Sequence, residues 1–167
     1  MQKGRCYIIG AGTFYSCYTQ ILQRMEPEKD FIIAADGGYD YLSSLNITPT
    51  IVIGDFDSIA SEIISSEKLK FSPEKDDSDM VLAAKYGLSK GYSSFHILGG
   101  TGGRIDHTIA NIQLLYYLSL QGVCSYLYDE TQVMTALHNN QLTFSSEYTG
   151  YLSGLSLSNY SKNVTLQ

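Results

Sequence analysis

Residues 31–54 read FIIAADGGYDYLSSLNITPTIVIG. The stretch opens on a short apolar run, Phe31 to Ala35, and closes on another, Ile51 to Gly54. Between them Tyr39 to Leu45 has the spacing of a short helix. Two strand-length apolar runs joined through a helix form a β–α–β unit, and such a unit places its strands parallel. Nearly continuous apolar strands fit burial on both faces.

The same alternation extends in both directions. Upstream, Cys6 to Gly10 (CYIIG) predicts a strand and Tyr15 to Met25 a helix. Downstream, helices are expected near Ser61 to Leu69, over Ser78 to Lys90 and over Asp106 to Leu120. Strands are expected at Phe95 to Leu98 (FHIL) and Val123 to Tyr128. The expected fold class is therefore α/β, a three-layer sandwich with a mostly parallel sheet, over residues 1–130.

After about residue 130 the pattern changes. Thr131 to Leu137, Gln141 to Ser145, Tyr151 to Leu157 and Val164 to Leu166 are short, Ser/Thr-rich and strand-like. Residues 131–167 are expected to begin an antiparallel β-sandwich domain. These strands are too few to enclose a core, so either the domain is incomplete at Gln167 or the strands lean on the first domain or on a partner.

Composition narrows the function. The 167 residues are 44% hydrophobic and 17% charged, which fits a folded domain and not a disordered tail. No apolar run reaches membrane-spanning length, and the N-terminus has no signal-peptide pattern, so a soluble cytoplasmic protein is expected. A formal net charge of −6 argues against a nucleic-acid partner. Cys6, Cys17 and Cys124 form no metal or redox spacing and are read as small structural hydrophobes.

The chemistry gathers in four polar clusters. Asp36-Gly37-Gly38 and Gly54-Asp55-Phe56-Asp57-Ser58 each follow a strand. Glu74-Lys75-Asp76-Asp77-Ser78-Asp79 precedes a helix. Gly99-Gly100-Thr101-Gly102-Gly103-Arg104-Ile105-Asp106-His107 joins a strand to a helix. In open α/β sheets the ligand sits beyond the carboxyl ends of the strands, where these loops lie.

Asp55 and Asp57 flank Phe56 and, if the strand continues, project to one side. A lone Asp there caps a helix as readily as it binds a metal. Asp36, Asp55, Asp57 and Asp79 together favour a hard divalent cation, which relieves the repulsion among carboxylates. The Gly99–Gly103 loop lets backbone N–H groups approach an anion, although glycines serve a tight turn equally well. Arg104 adds a bidentate phosphate ligand. The sum describes a Mg²⁺–polyphosphate site. His107 is left open among phosphate binding, orienting Asp106 and packing under the helix. His96 is expected to be a satisfied core histidine.

The ordered set AADGG, IVIGDFDSI, EKDDSDM and LGGTGGRIDHTIANIQLL closely resembles thiamine pyrophosphokinase from about Cys6 to Tyr128. The resemblance implies Mg²⁺-dependent transfer of a pyrophosphoryl group from ATP to the hydroxyl of thiamine, giving thiamine diphosphate and AMP. It implies metal ligation by Asp55, Asp57 and Asp79, with Asp36 completing the acidic pocket beside Gly37 and Gly38. Ser78 stands where the family usually has Thr. Gly99, Gly100, Thr101, Gly102, Gly103, Arg104, Asp106 and His107 match the ATP phosphate and substrate region, and Asp57, Asp79, Arg104 and Asp106 the catalytic set. The resemblance further implies a homodimer with a shared active site, in which the β domain supplies thiamine contacts.

Two other readings fit parts of the same motifs. DFDSI also resembles the nucleophile loop of haloacid-dehalogenase-type phosphatases, with Asp55 as nucleophile. That loop normally follows the first strand, and here two strand–helix units precede it. The other reading is a non-catalytic nucleotide- and Mg²⁺-binding remnant without its thiamine half.

Overall fold

The computed structural model describes residues 3–26, 28–64, 67–72 and 77–165. Glu74, Lys75 and Asp76 of the third polar cluster, and Leu166 of the last expected strand, lie outside the described residues.

The elements in chain order are β1 (Cys6–Ile9), α1 (Tyr18–Leu22), β2 (Phe31–Ala35), α2 (Gly38–Ser44), β3 (Ile51–Gly54), β4 (Glu67–Lys70), α3 (Asp79–Ser89), β5 (Ser94–Leu98), α4 (Ile105–Leu120), β6 (Cys124–Tyr128) and β7 (Val133–Thr135). The strands form one sheet in the order β4-β3-β2-β1-β5-β6-β7. Every pairing is parallel except β6 with β7.

Successive strand residues face opposite sides of the sheet, and both sides are apolar. On one side Cys6, Ile8, Ile33, Ile51, Ile53, Phe95 and Ile97 pack with Ala83 and Ala84 of α3 and Leu114, Leu115 and Leu118 of α4. On the other, Tyr7, Ile9, Ile32, Ala34 and Val52 pack with Tyr18 and Leu22 of α1 and Tyr39 and Leu42 of α2. This is the expected three-layer α/β architecture. The core runs through both helix layers, so the loops at the strand ends rest on a rigid base.

The chain builds the sheet outward from β1 in one direction through β4. It then returns to the other side of β1 with β5. The reversal makes the β1/β5 boundary the topological switch point, the usual place for a ligand crevice in such sheets.

Three sequence expectations are corrected. The helix expected near Ser61 to Leu69 does not form among the described residues; β4 occupies its second half and pairs parallel with β3. Leu69 and Phe71, two residues apart, turn the same way into the core, which is strand period and not helix period. The charged Glu67, Lys68 and Lys70 suit an edge strand, where charge discourages further pairing.

The second correction concerns the chain after β6. Of the strands expected there, only β7 forms among the described residues, and it extends the first sheet instead of opening another. Residues 136–165 hold no helix or strand, and residues 137–165 are exposed throughout. A strand gains stability from a paired neighbour and a covered face, and the described residues offer these segments neither. The third concerns Cys124, which is exposed at the first position of β6, whereas Cys6 is fully buried.

Candidate functional site: three carboxylates beside the switch point

Asp36 follows the last residue of β2 and has a positive φ of 48°. Its N–H donates to the carbonyl of Ile53 at 2.8 Å, which ties it to β3. Next to it Gly54 leaves space: a Cβ there would come within 3.1 Å of the Asp36 Cβ. Asp36 therefore leans over the end of the neighbouring strand, where Asp55 and Asp57 begin the next loop.

The ligand oxygens of Asp36, Asp55 and Asp57 all lie within 4.8 Å of one another. Strand alternation does not bring Asp55 and Asp57 together, because β3 ends at Gly54. The device is Phe56, whose φ of 70° is rare for an aromatic side chain and costs energy. The turn it makes lets the Asp57 N–H donate to Asp55 Oδ1 at 3.2 Å. The Ser58 hydroxyl donates to Asp57 Oδ1 at 3.1 Å.

Two observations test whether this triplet fits a cation. The first is its donor chemistry: three carboxylates match the preference of a hard divalent ion for oxygen. The second is Asp36 Oδ1, which is buried and has no hydrogen-bond partner among the described residues. A buried acceptor left unsatisfied is costly unless something meets it. Burial, reinforced by the charges of Asp79 and Asp55, raises the Asp36 carboxyl above its ordinary range, with the nearby polar groups of Ser58 and Gly37 opposing the shift. A bound cation would reverse that balance. The residues present fit the ion.

The converging triplet thus contains Asp36, with Asp79 outside it. Asp79 is the first residue of α3, where a carboxylate complements the helix dipole, and its charge reaches Asp36. Ser78 caps the same helix, its hydroxyl accepting the Val81 N–H at 3.4 Å.

The Gly99–Gly103 loop has a structural job. The N–H groups of Gly12 and Thr13 donate to the carbonyls of Gly99 and Thr101 at 2.8 and 2.9 Å, closing the β1 loop against the β5 loop. Gly100 and Thr101 are buried, while Gly102 and Gly103 are exposed. Gly38 likewise packs against β1, with no room for a Cβ beside the Ile9 carbonyl.

Arg104, Asp106 and His107 are all exposed on the first turn of α4. The Arg104 guanidinium forks onto Asp106, Nε to Oδ1 at 3.1 Å and Nη2 to Oδ2 at 2.5 Å. The pairing lowers the Asp106 carboxyl and raises the guanidinium. Exposure of His107 removes the expectation that it packs under the helix. His96 is the satisfied core histidine expected, with Nδ1 2.8 Å from the Tyr128 hydroxyl. Across the sheet, β5 stands three strand spacings from β3, roughly 14 Å. Arg104 and the carboxylate triplet thus stand on the same carboxyl edge of the sheet, with the ends of β1 and β2 between them.

Sequence reasoning passed over Tyr39, Asp40 and Tyr41. The Tyr41 hydroxyl donates to the Gly12 carbonyl at 2.8 Å, and Asp40 accepts from two loop amides. The signal in DGGYDY is a second acid, four residues beyond Asp36.

Residues 22–127 match the family described as thiamin pyrophosphokinase, catalytic domain. The chain belongs to that family. The thiamine pyrophosphokinase of Bacillus subtilis (strain 168) is 41% identical over 90 residues, 50% of this chain and 42% of that protein. The crystal structure of thiamine pyrophosphokinase from Bacillus subtilis superposes with a TM-score of 0.66 at 29% identity, covering 76% of this chain and 61% of that one. A thiamin pyrophosphokinase from Geobacillus thermodenitrificans, at 22% identity, shares the fold with a TM-score of 0.67 over 79% of this chain and 62% of its own. The sequence match thus spans less than half of the curated relative. Family membership accounts for DFDSI together with the other motifs, and the phosphatase and remnant readings gain no support. All three carboxylates of the triplet lie inside the matched segment.

Proposed function

We propose that this chain carries the ATP- and Mg²⁺-binding part of a thiamine pyrophosphokinase. The reaction is transfer of the pyrophosphoryl group of ATP to the hydroxyl of thiamine, giving thiamine diphosphate and AMP. The observation that carries the reading is the convergence of Asp36, Asp55 and Asp57 within 4.8 Å at the carboxyl ends of β2 and β3 in a family-matched sheet.

Asp36, Asp55 and Asp57 would hold Mg²⁺, with Asp79 adding negative charge from the start of α3. When bound, the ion supplies neutralisation of charge on the phosphate oxygens. Arg104, on the same edge of the sheet, contacts the polyphosphate by exchanging its fork with Asp106 for one with phosphate oxygens. His107, on the same exposed turn, adds a second donor. The Gly99–Gly103 loop sets the height of that turn above the sheet. With both ends of the polyphosphate held, catalysis is mostly alignment of the thiamine hydroxyl with the attacked phosphorus.

The thiamine ring is proposed to be bound partly by a β domain to which the chain after β7 contributes, in a homodimer with a shared site. The exposed apolar side chains of Leu142, Phe144, Tyr148, Leu152 and Leu155 support this, since they need a covering surface. No described helix is long and apolar enough to cross a membrane, consistent with a cytoplasmic enzyme.

Phosphorus NMR of the chain with Mg·ATP, with and without thiamine, tests the reading. AMP and thiamine diphosphate formed only when thiamine is present are expected. AMP formed equally without thiamine, or inorganic phosphate as the product, would overturn it.

A further inference from the structure

The loop that carries Asp55 and Asp57 is fastened by the helix that follows Asp36. Asp40 Oδ2 accepts the Ala60 N–H at 3.0 Å, and Asp40 Oδ1 accepts the Ser61 N–H at 3.0 Å. One residue earlier, the Tyr39 hydroxyl accepts the Ile64 N–H at 2.9 Å and donates to the Glu62 carbonyl at 3.1 Å. Four backbone groups of residues 60–64 therefore end on two adjacent side chains of α2. Asp36 stands two residues before α2 and Asp40 in its first turn, so one short stretch of chain carries one carboxylate of the triplet and the anchor for the other two.

The anchoring has a physical need. Three carboxylates within 4.8 Å repel one another, and Phe56 at positive φ is strained. Left to itself, a loop without helix or strand would relax by swinging Asp55 and Asp57 away from Asp36. Ile59 and Ile63 pack into the core from this loop, and the Asp40 and Tyr39 bonds add direction to that packing. Burial would raise the Asp40 carboxyl, yet the amides of Ala60 and Ser61 and the Ser61 hydroxyl hold it below its ordinary value. The carboxylate is thus the form the loop prefers.

We infer that Asp40, assisted by Tyr39, is a positioning residue for the cation site, holding residues 55–64 so that Asp55 and Asp57 meet Asp36. The inference rests on the reading of that triplet as a divalent-cation site. Asp40 itself touches neither ion nor substrate. It acts as the outer partners of metal ligands do, whose loss weakens binding without removing a ligand.

The test is Mn²⁺ alone, titrated against the full chain and followed by electron paramagnetic resonance. Wild type is expected to bind, and Asp57→Asn to lose most of that binding. Asp40→Asn, which turns one acceptor into a donor facing an N–H, is expected to weaken Mn²⁺ roughly tenfold while circular dichroism stays unchanged. Asp40→Glu restores two acceptor oxygens and is expected to recover binding toward wild type, which a general loss of stability would not do. Wild-type affinity in Asp40→Asn, with binding lost in Asp57→Asn, would overturn the positioning role and leave the cation site standing. Equal binding by wild type and Asp57→Asn would overturn the cation site and the inference with it. If Asp40→Asn does not fold, Tyr39→Phe carries the test: it keeps the ring packing, and unchanged Mn²⁺ affinity there overturns the role.

Discussion

Gly12 and Gly99 meet across the switch point, the N–H of Gly12 donating to the Gly99 carbonyl at 2.8 Å. This bond, with that from Thr13 to Thr101, fuses the loops after β1 and β5 into one surface. Such closeness needs residues without side chains. Gly99 has φ +65°, and a Cβ on it would stand 2.3 Å from the Gly10 carbonyl oxygen. Gly99→Ala is therefore expected to destabilise the fold by about 2–4 kcal/mol, from backbone strain and displacement of the β1 loop. Gly103, with nothing within 4 Å of a built Cβ, is the control, and Gly103→Ala is expected to change stability by less than about 0.5 kcal/mol. Urea unfolding of both variants checks the contrast; equal midpoints would rule out the fused-loop account.

Removing charge from the triplet should separate function from stability. Asp57→Asn is expected to lower Mg²⁺-dependent turnover by a hundredfold or more, on the order of losing one charge-stabilising group. Without metal the same variant should melt slightly higher than wild type, because one of three mutually repelling carboxylates is gone. Turnover and metal-free melting curves together provide the check. Wild-type turnover would remove Asp57 from the cation site.

Beyond β1 from the triplet, the Arg104 fork is bonded to Asp106 and open to solvent. Transfer of that fork to phosphate oxygens predicts that Arg104→Ala weakens Mg·ATP binding roughly ten- to a hundredfold, the value of a charge-assisted hydrogen-bond pair. Thiamine affinity should change little. Calorimetric titration with each ligand distinguishes the two, and an unchanged ATP affinity would place the polyphosphate elsewhere.

His96 makes stability depend on pH. Its imidazole stacks on Tyr7 and Tyr128, and burial, helped by the Arg5 charge and opposed by that of Asp30, lowers it from 6.5 to about 4. The folded state keeps His96 neutral in a range where the unfolded chain takes up a proton. Its contribution is therefore complete above pH 6.5 and is lost as pH falls from 6.5 toward 4. The loss should be about 2 kcal/mol, discounted for the part of the ring that solvent reaches. Denaturant titrations at steps through this range should show the decline in wild type and a flatter profile in His96→Gln. Parallel profiles would assign the decline to other groups.

Much of the architecture was legible because it is written in short-range pattern. FIIAA, IVIG and FHIL are apolar on both faces, and the helices between them carry one apolar side, so a parallel sheet between two helix layers follows from local burial alone. The site's ingredients were legible for a similar reason: Asp36, Asp55 and Asp57 sit at the ends of those runs. Glu67 to Lys70 was not, because a charged segment has no periodicity of its own and becomes a strand only by bonding to the free edge of β3. Asp40 was overlooked because the amides it satisfies lie twenty residues away in the chain.

What the sequence determined by itself was the order of elements and which residues stand at their ends, since both follow from hydrophobic spacing and turn chemistry. Only the tertiary structure decided which ends become neighbours. The pairing of β2 with β3 set Asp36 beside Asp55, the strained turn at Phe56 swung Asp57 in, and the return of the chain to β5 placed Arg104 on the same carboxyl edge of the sheet. Distances between residues far apart in the chain depend on strand pairing and on loops anchored by side chains, and no local pattern encodes either.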